Sequence, residues 1–329
     1  MKSFTPDILR IKNPEALTDK ICQKLKEDVF RRFRRKGGVV GISGGIDSSV
    51  TLALAARALG SERVVGVLLP EKDSSPDSKA LALKLADKYG VQTVEENISD
   101  ALSGFGCYTR RDEAVKRIVP EYNPATDKMK IVIPKELLEQ NLPPVFYVTV
   151  IFQDGSEISR RLSPDAYLQI VAASNFKQRS RMAMLYYHAE ARYYAVIGTP
   201  NKHEVKQGFF VKFGDGGADM MPIGNLYKTQ VYQLAEFLEV PREIIERTPT
   251  TDTYTAEQTQ EEFFYQLPFE KMDLLWFAWE NGYPADEVAK VVEMSEENVK
   301  KSFANFERKL KTTEYLRAKP LHDYDFWKP

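Results

Sequence analysis

Val39-Val40-Gly41-Ile42-Ser43-Gly44-Gly45-Ile46-Asp47-Ser48 opens on a short apolar run and passes through a glycine pair into Ser48 to Leu59, a stretch rich in alanine and leucine. The apolar run predicts a buried strand and the stretch after it a helix, so the glycines occupy a strand-to-helix turn. Glycine there lets the backbone approach an anion with no Cβ in the way. The N–H groups at the start of the helix and the hydroxyls of Ser43 and Ser48 are then available to phosphate oxygens. Asp47 faces phosphate usefully only with a cation between them, which makes it a natural Mg²⁺ ligand. A plain tight turn capped by Asp47 and Ser48 would account for a glycine pair alone, but it does not account for the whole of Ser43 to Ser48 in this context. No Lys-Ser or Lys-Thr pair follows the glycines, so the loop is not of the Walker A kind.

On the N-terminal side, Pro14 to Lys36 predicts a helix, with Leu17, Ile21, Leu25, Val29 and Phe33 at spacings of four. It ends in Arg31-Arg32-Phe33-Arg34-Arg35-Lys36 and then Gly37-Gly38, a charge and C-cap pattern suited to a helix end. A nucleic-acid patch is the alternative for that run, and a solvated helix end fits better beside a motif that needs a packed helix ahead of it. Downstream, Val64 to Leu69 and Val91 to Val94 read as strands with a helix, Asp77 to Tyr89, between them. Pro164 to Ala191 reads as a long helix, Tyr194 to Ile197 as a further buried strand, and helices dominate from Lys228 onward. This alternation predicts βαβ units, hence a parallel sheet with helices on its faces. Between Cys107 and Ser163 the character changes. Val145 to Phe152 alternates, Asp154-Gly155 supplies a turn, and Glu157 to Leu162 continues, a strong hairpin signal. We read residues 107–163 as a β-rich element inserted into a single domain spanning 1–329.

Composition removes several function classes. Hydrophobic residues make up 43% and charged residues 28% of 329, with a formal net charge of -1, so no global field draws the chain to nucleic acid or an anionic membrane. Cys22 and Cys107 are the only cysteines, which excludes a disulfide framework, a structural zinc site and an iron–sulfur cluster. No apolar run is long enough to span a membrane and the first residues carry no signal-peptide core, so the expected compartment is the cytoplasm. His188, His203 and His322 have no metal spacing among them and are expected to be partly exposed. Trp276, Phe277, Trp279 and Tyr283 are expected to be core or dimer packing.

A second block is denser than the first. Asn175-Phe176-Lys177-Gln178-Arg179-Ser180-Arg181-Met182 precedes Gly198-Thr199, Asn201-Lys202-His203-Glu204, and Gly208-Phe209-Phe210-Val211-Lys212-Phe213-Gly214-Asp215-Gly216-Gly217-Ala218-Asp219. Lys228-Thr229-Gln230-Val231 and Pro249-Thr250-Thr251-Asp252 follow. The loop Ser43–Ser48 resembles the pyrophosphate-binding loop of the ATP pyrophosphatases, which cleave ATP between its α and β phosphates. With the second block it resembles the ammonia-dependent NAD synthetases, over Pro14 to about Gly104 and Pro164 to about Arg317, and most closely over Gly198 to Lys228. The resemblance implies a doubly wound, adenine-nucleotide hydrolase-like α/β domain with a helical C-terminus. It implies a homodimer whose dinucleotide sites lie near the subunit interface. The implied reaction activates the carboxylate of deamido-NAD with ATP, releases pyrophosphate, and lets ammonia displace AMP.

By position, Gly41, Ile42, Ser43, Gly44, Gly45, Ile46, Asp47 and Ser48 would then hold the ATP phosphates and Thr199 would contact the nucleotide. Asp47 and Glu204 would share Mg²⁺, Lys228 and Thr250 would reach the triphosphate, and Arg179, Lys212 and Asp219 would bind deamido-NAD. Asp47 and Lys228 are expected to carry the chemistry. The C-terminal helices occur in the same family, so the helix-turn-helix pattern of Pro284 to Phe306 does not imply DNA binding. Two places depart from the family. Thr313-Glu314-Tyr315-Leu316-Arg317 stands where the family has Glu-His-Lys-Arg, and Gln258-Thr259-Gln260-Glu261 replaces Gln-Thr-Asp-Glu. These departures and the insert leave a second reading open, a paralogue that amidates another carboxylate with ammonia from a partner subunit. With deamido-NAD as substrate, Arg110, Arg111, Arg160 and Arg161, in or near the insert, would be the contacts that replace those lost at the C-terminus. A non-catalytic nucleotide-binding module is disfavoured by Asp47, Glu204 and Lys228, and a tRNA-thiolating enzyme by the lack of paired cysteines.

Overall fold

The computed structural model describes residues 3–132, 145–250, 254–256, 258–259 and 267–321. Its central sheet has strand β1 (Gly38–Gly41) between β2 (Val64–Leu68) and β7 (Ala195–Ile197), with β3 (Gln92–Glu95) beyond β2, every pairing parallel. Alternate strand residues feed opposite cores. Val40, Val64, Leu68 and Ile197 pack with helices α1 (Pro14–Glu27), α2 (Ile46–Leu59), α3 (Pro76–Tyr89) and α8 (Lys228–Phe237). Val39, Val65, Val67 and Val196 pack on the other face, with α4 (Ser99–Gly104), α5 (Cys107–Lys116) and α6 (Pro164–Arg192). Burial on both faces is why these strands read as unbroken apolar runs, and the doubly wound fold is as expected.

The end of α1 differs from the sequence reading. The helix gives way at Asp28–Arg32 to a wider π-type turn, and the left-handed residue that closes it is Arg34, at φ 54°, not a glycine. Gly37 is required for a different reason: a Cβ there would run into the Arg63 carbonyl oxygen and the Tyr194 ring.

Segment 107–163 begins as helix α5, so its β character starts only at β4 (Lys128–Val132). That strand pairs antiparallel with β5 (Tyr147–Ile151), which pairs with β6 (Glu157–Arg161) to form the hairpin read from the sequence. Its turn places Gly155 at φ 83°, with Asp154 Oδ1 accepting from Ser156 N at 2.9 Å. Met129, Ile131, Val148 and Val150 on one face of this sheet pack against Ala114 and Val115 of α5 and Ala166 and Ile170 of α6. The second sheet is therefore anchored to the first through a helix the two share.

Helices α7 (Lys202–Gln207), α9 (Arg242–Ile245), α10 (Phe269–Glu280), α11 (Ala285–Val292), α12 (Glu296–Thr312) and α13 (Glu314–Arg317) complete the chain. Trp276 and Tyr283 are buried in the core of these helices. The pair α11 and α12 turns Val288, Val292, Val299 and Phe306 into the same core. His188 and His203 are buried, contrary to the expected partial exposure, and His322 lies outside the described residues, as do Thr251, Asp252, Gln260 and Glu261. Among the described residues no helix is long and apolar enough to cross a membrane.

Ile170 is fully buried where α6 meets the second sheet. Ile170→Ala is expected to cost about 2–5 kcal/mol in urea unfolding. A loss below about 1 kcal/mol would mean that this sheet does not pack on α6 as described.

Candidate functional site

Strand order reverses about β1, and in such sheets ligands bind in the crevice outside the carboxyl ends of the strands at that switch point. The ends of β1, β2 and β7 do open into one cleft, lined by Gly41, Ile42, Ser43, Gly45, Ile46, Asp47 and Ser48 after β1 and by Gly198 and Thr199 after β7. The loop after β1 is held by its own serines. Ser48 Oγ donates to Gly45 O at 2.9 Å and accepts from Ser43 N at 3.3 Å, while Ser49 Oγ also donates to Gly45 O, at 2.8 Å. Gly45 caps α2 without a side chain, which leaves the first N–H groups of a 14-residue helix facing the cleft and able to bind an anion. Gly44 does not line the cleft. It has φ 72°, and a Cβ on it would lie 2.5 Å from the carbonyl oxygen of Ser78 in α3. Its role is to let the loop fold back against α3.

Four of the named side chains converge at the mouth of this loop. Lys228 Nζ lies 2.5 Å from Asp47 Oδ2, and Asn201 Nδ2 donates to Asp47 Oδ1 at 3.3 Å. Asn201 also caps α7: its Oδ1 accepts from His203 N and Glu204 N, and Glu204 Oε2 accepts from Asn201 N at 2.8 Å in return. That reciprocal capping box fixes the Glu204 carboxylate beside the Asp47–Lys228 pair. Burial raises the Glu204 carboxyl far above the ordinary carboxylate range, to about 8, and the neighbouring Asp47 charge pushes the same way. Burial pulls the Lys228 ammonium down, but Asp47 and Glu204 more than offset it and hold it charged. Two hard oxygen donors whose mutual repulsion is only partly offset by one lysine suit a magnesium ion. Among the described residues no group of three or more His, Cys, Asp or Glu side chains could hold a metal. Such an ion would therefore take further oxygens from a bound phosphate and water.

Thr250 lines the same cleft, as expected, and Asn201 is the member of the cluster that the sequence reading passed over. Its signal was present, since Asn201 and Glu204 stand three residues apart, the spacing of a capping box. Arg179, Lys212 and Asp219 are placed differently. None lines the cleft. Arg179 Nε donates to the Lys212 carbonyl at 3.2 Å, and Lys212 Nζ donates to the Tyr315 carbonyl at 2.7 Å. The contact from Lys212 to the altered C-terminus thus uses the backbone, and the same ammonium lies 5.5 Å from the centroid of the Tyr315 ring. Asp219 accepts from Val196 N at 2.8 Å and from Tyr186 OH at 3.2 Å, so it braces β7. On α6 the residues facing the cleft include Asn175, Lys177, Gln178, Arg181 and Met182.

Lys177 belongs to a buried charge network that the sequence did not reveal. Its Nζ lies 3.0 Å from Glu71 Oε1 and 2.7 Å from Asp73 Oδ2, and Arg111 Nη1 lies 2.5 Å from the same Asp73 oxygen. Arg111 is therefore committed within the protein and is not a surface contact for a substrate, whereas Arg110, Arg160 and Arg161 remain exposed. The network pins the turn after β2, whose Pro70, Ser74 and Ser75 line the cleft. The cysteines are inert by comparison. Burial pushes the Cys22 thiol up to about 11 and raises Cys107 as well, the opposite of an activated thiolate.

The sequence and fold can now be set beside known proteins. The family model described as NAD synthase matches residues 17–133 and 146–320. The match includes residues 107–133 and 146–163 of the β-rich segment. A protein named NH(3)-dependent NAD(+) synthetase from Mesorhizobium japonicum is 47% identical over 306 residues, covering 93% of this chain and 95% of that one. One of the same name from Rhizobium meliloti is 45% identical over 317 residues, 96% of this chain and 94% of the relative. Among solved structures, NMN synthetase from Francisella tularensis superposes with a TM-score of 0.65 at 21% identity, over 95% of this chain and 100% of that one, a likeness of fold. A family match over nearly the whole chain, together with these identities, places the protein in the NAD synthase family.

Proposed function

We propose that the protein is a C–N ligase that converts deamido-NAD to NAD with ATP and ammonia, through an acyl-adenylate. The observation that carries the chemistry is the convergence of Asp47, Asn201, Glu204 and Lys228 where the phosphate loop meets the ends of β1 and β7. The identities of 45–47% to relatives named for NAD support that substrate over a different carboxylate.

A carboxylate is a poor electrophile, so one of its oxygens first attacks the α-phosphorus of ATP. The bond from that phosphorus to the bridging oxygen breaks, and pyrophosphate leaves with the electron pair. Ammonia then adds to the acyl carbon, and AMP departs with the former carboxylate oxygen while nitrogen loses a proton. Nothing here requires a covalent enzyme intermediate; the need is for stabilised charge on the α and β phosphates. The loop Gly41–Ser48 supplies N–H donors and hydroxyls, and Lys228 supplies a fixed ammonium. Thr199 and Thr250 line the same cleft and are the nucleotide contacts on this reading. Magnesium, held by Asp47 and Glu204, would neutralise triphosphate charge. On this reading the protein is a homodimer, and Arg179 and Lys212, lying off the cleft, fit a dinucleotide site completed near the subunit boundary. We treat residues 1–329 as one catalytic unit, with segment 107–163 as its elaboration.

Asp47→Asn keeps the size of the side chain and removes its charge. It is expected to lower pyrophosphate release roughly 10²–10³-fold with an unchanged circular dichroism spectrum. Near-normal turnover in that variant would remove the loop from the active site. The nitrogen source gives a second test: amide formation should require ammonium, and glutamine-driven NAD formation by the isolated chain would show that ammonia is not the donor.

A further inference from the structure

Glu204 and Lys228 act together only if their helices keep a fixed relation, and each residue stands in the first turn of its helix. Glu204 stands in the first turn of α7, a six-residue helix, and Lys228 is the first residue of α8. What joins the two is a third helix. Asp273 of α10 is fully buried, and its two carboxylate oxygens divide between them. Oδ1 lies 2.5 Å from His203 Nε2, one residue before Glu204, and Oδ2 accepts from Thr229 N at 2.7 Å, one residue after Lys228. Seven residues further along α10, Glu280 repeats the pattern. It lies 2.5 Å from Lys202 Nζ of α7 and accepts from the hydroxyl of Tyr227, the residue preceding α8, at 2.9 Å.

The polarity of the buried chain is fixed from its ends. Lys309 Nζ donates to Gln207 Oε1 at 3.2 Å, which leaves the Gln207 amide nitrogen facing His203 Nδ1 at 3.1 Å. Nδ1 must then accept and Nε2 donate to Asp273. One tautomer of His203 satisfies every link, and helices α12, α7, α10 and α8 are joined in a single hydrogen-bonded order. A carboxylate buried this deeply is costly unless each oxygen is satisfied. Both oxygens are taken by the helices that carry the reactive pair.

We propose that Asp273 is a positioning residue for adenylation, one that holds Glu204 and Lys228 in mutual register from behind the cleft. This inference rests on the reading of Asp47, Glu204 and Lys228 as the reactive cluster. The test is a double-mutant cycle: kcat, KM for ATP and thermal unfolding for wild type, Asp273→Asn, Lys228→Met and the double variant, at saturating ammonium. Asp273→Asn offers one acceptor oxygen to two donors, His203 Nε2 and Thr229 N, so one of the two links is lost whichever way the amide turns. It is expected to lower kcat roughly ten- to a hundred-fold, the scale of a small misplacement of reacting groups, with KM for ATP nearly unchanged. In the Lys228→Met background that loss should shrink to within about threefold, because the group it positions is gone. Wild-type kcat in Asp273→Asn overturns the proposal, as does an undiminished loss in the double variant. Wild-type turnover by Lys228→Met alone would instead overturn the assignment of the cluster. Should Asp273→Asn fail to fold, His203→Phe removes the donor to Oδ1 and leaves the Thr229 N–H link to Oδ2 in place. Its loss of kcat should then vanish in a Glu204→Gln background, and persistence there overturns the proposal equally.

Discussion

A lysine buried to 1% exposure at the first position of a helix is an arrangement that folding alone would avoid. Burial opposes its charge, and the positive end of the helix dipole repels it. Asp47 makes the arrangement tolerable. It sits in the first turn of α2, where a carboxylate is favoured, and meets Lys228 Nζ at 2.5 Å. Removing either partner would leave an uncompensated charge, so the pair ties the sequence before β2 to the sequence after β7. Much of the site geometry follows from it. Asn201 reaches the second Asp47 oxygen, Glu204 is capped onto Asn201, and α10 braces the helices of both Glu204 and Lys228.

The legible part of the fold was the part in which local pattern and burial agree. Strands β1, β2 and β7 are covered on both faces, so their apolar runs were sufficient. The glycine-rich loop was legible because its chemistry is local, with serine, glycine and aspartate all within six residues. Strand β4 escaped because Lys128-Met129-Lys130-Ile131-Val132 alternates with lysine and is too short to separate from a loop. Helix α5 escaped because half of Cys107–Lys116 is charged and the rest has little apolar periodicity, and its buried Arg111 is satisfied by Asp73, thirty-eight residues away. His188 and His203 looked exposable for the same reason. Their partners, Glu96 and Asp273, are ninety-two and seventy residues distant.

The candidate site divides in the same way. Asp47, Glu204, Lys228, Thr199 and Thr250 meet at one cleft because the switch point of the sheet gathers whatever follows β1 and β7. Arg179, Lys212 and Asp219 lie in equally recognisable stretches, yet no strand end gathers them. Arg179 points from α6 to the backbone of the Lys212 loop, and Asp219 is absorbed in bracing β7. Motif density therefore picked out residues that share one cleft in the first group and residues that lie off it in the second.

Helix α6 explains how a second sheet can exist without loosening this arrangement. Its first turns, with Ala166 and Ile170, belong to the core of the antiparallel sheet, its middle presents Lys177, Gln178 and Arg181 to the cleft, and Ala189 near its end packs under β7. A rigid helix of 29 residues transmits the position of one sheet directly to the other. Lys177 makes the coupling chemical as well as mechanical. Its ammonium is shared by Glu71 and Asp73 in the turn after β2, and Arg111 of α5 binds Asp73 from the far side. A buried cation held by two acids from one turn leaves that turn little freedom, because shifting it would strand a charge. The second sheet, through α5 and α6, thereby helps to fix one wall of the cleft, and its own Ile131, Val132 and Phe146 line that cleft directly, which gives segment 107–163 a part in shaping it.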